Sequence, residues 1–178
     1  MSADRPFHWR PMMVADLPLV QDIAARLHPH YPERAEIFAD KLAFFPAGCH
    51  VAEGGGGAAL GYVFAHVWTQ GAPPLLDTPL GPPPGAADCL HLHDIALLPA
   101  ARGQGGAERM LARLNHLAHA AGMAALTLVA IRGQEAYWCS KGFVQVPLTQ
   151  ELAERLASYG DGVAYMRKAV ATGFTCGN

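Results

Sequence analysis

Residues 89–122 constrain the fold more than any other part of the chain. "CLHLHDIALL", residues 89–98, reads as a mostly apolar strand. "PAARGQGG" then turns the chain through small residues. After it, Ala107, Met110, Leu111, Leu114, Leu117, Ala118 and Ala121 fall on one helical face. Gly122 is placed to end that helix in the left-handed C′ position. A strand, a glycine loop and a one-sided helix form a unit that must cover a sheet, so the chain reads as a layered α/β domain.

The flanking sequence extends the pattern. Phe7–Met13 reads as a first strand, and Pro18 and Asp16 place a helix from Leu17 to about Leu27. "HPHYP" breaks it before a second helix, about Glu33 to Phe45. "CHVAE" and "LGYVFAHVW" read as a hairpin around "GGGGAA", because no helix follows those glycines. "AALTLVAI" is an apolar, central strand. "GQEAYWCSKG" is a short helix. "FVQV" and "VAYMRKAV" are late strands with a helix, Glu151–Ser158, between them. "TQGAPPLLDTPLGPPPGAAD" cannot be regular structure, and a loop of that length in a small domain points to a functional role or a surface insertion.

Composition narrows the function. The chain has 178 residues, 51% of them hydrophobic and 16% charged, with a net charge of −2. That suits one folded domain, here residues 1–178 with an ordered core of about 7–170. No run of Lys or Arg offers a nucleic-acid footprint. No stretch approaches the roughly 20 apolar residues of a membrane span, and "MSADRPFHWRPMM" has no signal-peptide pattern. A cytoplasmic location is expected. Cys49, Cys89, Cys139 and Cys176 form no C-x-x-C pair, so free thiols and no metal are expected.

The loop Arg102-Gly103-Gln104-Gly105-Gly106-Ala107 opens the long helix. The first N–H groups of a helix lack internal partners and lie at its positive end, which favours a diphosphate. A dinucleotide fingerprint would need a third glycine where Glu108 stands. A nucleotide P-loop would need Gly-Lys-Ser/Thr. Arg-x-x-Gly-x-Ala, from Arg102 to Ala107, does fit a known pattern.

With that pattern the chain resembles the GNAT superfamily of N-acetyltransferases. Their loop is Gln/Arg-x-x-Gly-x-Gly/Ala between a strand and a long helix. "LTLVAIRGQEAYWCSKGFVQV" also follows the family plan, ending in Gly142-Phe143. The resemblance implies a mixed, mostly antiparallel sheet flanked by helices, with a splayed pair of central strands forming an acetyl-CoA cleft. It implies that backbone at Ile95, Ala96 and Leu97 pairs with the pantetheine arm. It also implies that Arg102, Gly103, Gln104, Gly105, Gly106 and Ala107 hold the pyrophosphate. Acetyl-CoA is then the cosubstrate and a small-molecule amine the acceptor, acetylated by direct attack in a ternary complex. A non-catalytic CoA-binding or sensor module of the same fold is the alternative, and homodimerisation stays open.

In a regular strand His91 and His93 share a face with Ile95 and Leu97, while Asp94 points the other way. "HLHDIAL" resembles the aralkylamine N-acetyltransferases, where two His at this spacing are proposed to relay a proton. An alkylammonium has a pKa near 10.4, taking Lys as a model, so roughly one in a thousand is neutral at pH 7. Imidazole suits the removal of that proton. Asp94 reads as a structural anchor.

The chain departs from the family where a Tyr usually stands four residues before the Gly of Gly-Phe, for here that residue is Trp138. Either Tyr137, Ser140 or water protonates the departing thiolate, or it leaves unassisted, a thiol with a pKa near 8.5 being a fair leaving group; Tyr137 is the candidate acid. For the acceptor, Tyr31, Phe44, Phe45 and Trp68 are candidate lining residues, and Glu33, Glu36 or Asp77 could meet an ammonium group.

Overall fold

The computed structural model describes residues 7–171, so Cys176 lies outside the described residues. Along the chain run β1 (Phe7–Pro11), α1 (Leu17–Leu27), α2 (Ala35–Phe44), β2 (Cys49–Gly54), β3 (Ala59–Trp68) and β4 (Cys89–Leu97). There follow α3 (Gly106–Ala120), β5 (Ala125–Ala130), α4 (Glu135–Ser140), β6 (Val144–Gln145), α5 (Gln150–Leu156) and β7 (Ala164–Ala169). The strands form one seven-stranded sheet in the order β1-β2-β3-β4-β5-β7-β6. Neighbours are antiparallel except β4 and β5, which run parallel.

Each sheet face has its own core. On one, the stripe Met110, Leu111, Leu114 and Ala118 of α3 packs on Leu90, Leu92, Leu126 and Leu128. Fully burying one such leucine contributes about 2 kcal/mol. On the other, Val20 and Ile23 of α1 and Phe38 and Leu42 of α2 pack on Val51, Tyr62 and Phe64. Asp16 precedes α1 but does not cap it with its side chain. Its carboxylate instead accepts hydrogen bonds from Met13 N and both terminal nitrogens of Arg10.

Two features of β4 place the site. First, its ladder with β5 runs from Cys89–Ala125 to Leu92–Leu128. Beyond Leu92 the two strands part, although β4 stays paired with β3 and β5 with β7. Second, the β3–β4 register slips: Ala65 pairs with Leu92 and Phe64 with Asp94. His93 is the extra residue of a bulge. The bulge reverses side-chain parity along the strand. Leu92 and Ile95 both pack in the α3-side core, whereas Ala96 packs with Tyr62 and Phe64 on the α1/α2 side. Asp94, paired with Phe64 and bonded to Tyr62, is therefore on the same side as His91 and His93. This corrects the expectation from a regular strand: Asp94 joins the histidines, and Ile95 and Leu97 leave them.

The Pro-rich segment, residues 69–88, has no helix or strand but is tied down at many points. Asp77 binds Arg34, Leu80 N donates to Asp40, and Leu76 N donates to Ser158 Oγ. Arg155 and Tyr159 donate to the carbonyls of Pro73 and Pro74. The segment thus bridges α2 and the region after α5. No helix among the described residues is long and apolar enough to cross a membrane.

Candidate active site

Where β4 and β5 part, a cavity of about 670 Å³ opens. Its middle is walled by Ile95, Ala96, Leu97, Leu128 and Val129. One end reaches Arg102, Gly103, Gly105, Gly106 and Ala107. The other reaches His28, Tyr31, Glu33, His93, Asp94 and Tyr159.

The glycine end has the shape of an anion cradle. Gly103 and Gly105 hold left-handed φ values of 73° and 69°, which a side chain adopts only at a cost. A Cβ at Gly103 would meet nothing within 4 Å, so this loop faces open space. Gly106 is small for a different reason: a Cβ there would lie 2.3 Å from Phe7 Cζ. Arg109 donates to Gln104 O at 2.6 Å and stacks over Phe7 at 5.2 Å, which braces the turn. Arg102 Nε donates to Leu97 O at 2.8 Å, tying the loop to the end of β4. Gln104 turns its amide back to Ala100 O and its side chain braces the loop. These residues fit a diphosphate at the α3 N-terminus, with a pantetheine arm along the parted edge of β4.

This arrangement accompanies a sequence match. Residues 13–137 match the family described as Acetyltransferase (GNAT) family. The chain belongs to the GNAT acetyltransferase family. It is an acyltransferase with acetyl-CoA as its cosubstrate. No curated protein matches the chain in sequence. Several solved structures share the fold. Ard1 from Thermoplasma volcanium superposes with a TM-score of 0.69 at 12% identity, covering 94% of this chain and 99% of that one. Arabidopsis thaliana Naa50, in complex with the bisubstrate analogue CoA-Ac-MVNAL, gives 0.64 at 12% identity, with 91% and 97% covered. The GNAT-like decarboxylase GphF, in complex with isobutyryl-CoA, gives 0.73 at 15% identity, with 92% and 100% covered.

The other end of the cavity holds a buried polar cluster. Lys41 of α2, its side chain 1% exposed, reaches Glu33 Oε2 at 2.5 Å. Glu33 Oε1 accepts from Asp77 N and lies 3.4 Å from His93 Nε2. Burial opposes an ionised Glu33, but His93 and Lys41 outweigh it and hold the carboxyl well below its usual range. Asp94 binds the Tyr62 hydroxyl through Oδ2 and lies 3.2 Å from His28 Nε2 through Oδ1. It too stays ionised, because His28, Tyr62 and Lys41 offset its burial.

The two strand histidines differ. His93 lines the cavity. His91 is off its wall, 1% exposed, with Nδ1 3.0 Å from Thr127 Oγ1. His66 of β3, paired with His91, packs against both rings, 5.5 Å from His91 and 5.9 Å from His93 between centroids. Tyr137 lines the cavity from α4, and burial raises its phenol, which stays protonated at neutral pH. Tyr31 lines the cavity as expected. Phe44 and Trp68 instead pack around His66, and Glu36 and Asp77 bind Arg34. His28, Lys41 and His66 were not singled out in the sequence. Among the described residues no group of three or more His, Cys, Asp or Glu could hold a metal.

The buried histidines make stability depend on pH. Burial lowers His66 to about 3 and His50 to about 4, and pushes His91 well below its ordinary value. The unfolded chain binds these protons first, near pH 6.5. Stability is therefore full above about pH 6.5 and falls as the pH drops toward the folded values. Between pH 7.5 and 5 the loss is about 2 kcal/mol for each histidine that stays neutral in the fold. Urea midpoints at the two pH values check this; equal midpoints would refute it.

Proposed function

We propose that this protein transfers the acetyl group of acetyl-CoA to the primary amine of a small-molecule acceptor, by direct attack in a ternary complex. The carrying observation is the far end of the cavity. There, two ionised carboxylates, Glu33 and Asp94, face a chamber that Leu76 of the pinned segment 69–88 helps to line. Carboxylates favour an ammonium group, and a concave cavity of about 670 Å³ is of the size that takes small-molecule ligands.

Direct attack is favoured over an acetyl-cysteine route. Burial raises Cys49 to about 12 and Cys89 to about 11, so both stay thiols at neutral pH. Tyr137 is the proposed acid for the departing thiolate. Arg102 to Ala107 hold the diphosphate, and Ile95 to Leu97 the pantetheine. His93 takes part from the cavity wall, and His91, held by Thr127, packs edge-on behind it at 6.0 Å between ring centroids.

The reading is tested by thiol release from acetyl-CoA with a panel of small primary amines, a polyamine and a short peptide. Acetylation of one or more small amines is expected. Turnover of the peptide alone would overturn the acceptor class. CoA affinity with no thiol release from any acceptor would leave a binding module in its place.

A further inference from the structure

We propose that His28, backed by Asp94 and Tyr62, is the base that takes the proton from the acceptor amine. The inference rests on the amine-acetylation reading above.

His28 immediately follows α1, and its ring lines the main cavity beside Glu33, His93 and Asp94. It also lines a second cavity, of about 580 Å³, which shares Leu27, Tyr31, Ile131 and Tyr159 with the first and runs on to Arg132 and Asp161. The imidazole therefore stands where the two cavities meet. A proton taken in the first has a route away through the second.

Tyr62, Asp94 and His28 form a chain. The Tyr62 hydroxyl donates to one Asp94 oxygen, and the other lies 3.2 Å from His28 Nε2. Next to an ionised carboxylate Nε2 carries the hydrogen, which leaves the lone pair on Nδ1. Despite the 3.2 Å separation, Nε2 and Asp94 do not meet as a hydrogen bond in this structure; catalytic hydrogen bonds are often poorly aligned before substrate tightens a site. Burial disfavours the imidazolium, but Asp94 outweighs it and raises His28 above its ordinary value. Glu33 adds to the rise and Arg102 works against it; the phenols of Tyr31, Tyr62 and Tyr159 are also close by. The C-terminus of α1 acts in the same sense as Asp94.

The other histidines suit the task less. His93 Nε2 faces ionised Glu33 and so carries its hydrogen there. Its free lone pair is then on Nδ1, which is buried without a partner. Burial and the Lys41 charge also lower its proton affinity. His66 and His91 are buried away from the cavity.

The protons balance as follows. The ammonium gives one proton to His28. The freed nitrogen lone pair attacks the thioester carbon; the N–C bond forms and the C–S bond breaks. The second nitrogen proton passes to water as the amide forms; Tyr137 gives its phenol proton to the departing thiolate and is re-protonated from water. His28 then releases its proton to water.

His28→Gln is expected to lower kcat about 100-fold and remove the acidic limb of the kcat/KM profile, with acetyl-CoA affinity within about twofold of wild type. Asp94→Asn is expected to move that limb to lower pH. The assay uses the panel amine that wild type acetylates best. A His28→Gln enzyme with the wild-type limb and nearly wild-type kcat would overturn the role of His28 and leave the amine reading intact. A wild type that acetylates no panel member overturns the amine reading, and with it the base. An NMR titration of the full chain adds a readout independent of turnover: His28 titrating below about 6.5 would also overturn the proposal.

Discussion

Lys41→Met is expected to destabilise the protein by about 3–5 kcal/mol, the cost of leaving a buried charge without its partner. Lys41 lies among buried Ile37, Phe38 and Leu42 on α2, with its ammonium over the rings of Phe38 and Phe64. Methionine fills most of that space, so a cavity contributes little. The loss falls on Glu33, which keeps only the Asp77 amide and the His93 ring against its carboxylate. A chain of this length loses about 2–4 °C in Tm per kcal/mol, so the shift is roughly 10 °C. Lys41→Met combined with Glu33→Gln should recover most of it, because no uncompensated charge remains. The pH adds a second check. Without Lys41 the folded protein binds a proton more readily, at Glu33 or at His93, than wild type does. The stability gap between variant and wild type should therefore narrow as the pH falls from 7 to 5. A single variant within about 1 kcal/mol of wild type would mean that Glu33 is not a buried charge.

The local half of the site was legible in the sequence, and the non-local half was not. The α3 stripe, the Gly103–Gly105 turn and Gly122 at the end of the helix depend on residues within a few positions of one another. A one-dimensional reading therefore finds them. The parity of β4 depends on its partner. Only the slip between Phe64 and Ala65 shows that Asp94 turns to the side of His91 and His93. The Asp94–His28 contact joins residues on different elements, and nothing in "HLHD" or "RLHPH" announces it. Lys41 did leave a trace. It falls with Ile37, Phe38 and Leu42 on the buried face of α2, and a lysine on an apolar stripe must find a carboxylate. Gly106 reads as one member of the diphosphate loop; that a Cβ there would meet Phe7 of β1, far away in the sequence, shows only in the structure.

That last distinction separates two adjacent glycines by experiment. Gly105→Glu is expected to weaken acetyl-CoA binding more than 100-fold while the domain stays folded. Gly105 is at the start of α3 with φ of 69°, and a Cβ there meets only Arg109 Nη1, at 3.5 Å. The fold therefore has space for a side chain and loses about 1–2 kcal/mol to the left-handed backbone. The cradle loses more. A carboxylate placed beside free helix N–H groups competes for them with the diphosphate and repels it. It can also draw Arg109 away from Gln104 O, the contact that braces the turn. Gly106→Ala should behave in the opposite way. Its Cβ would collide with the Phe7 ring, so β1 or α3 must shift, and stability falls by about 1–3 kcal/mol. Affinity, measured by calorimetry at a temperature where the variant is folded, should change much less. If Gly105→Glu binds acetyl-CoA as tightly as wild type, the diphosphate is not held at the N-terminus of α3. If Gly106→Ala loses binding without losing stability, its backbone rather than its packing against Phe7 is what the ligand needs.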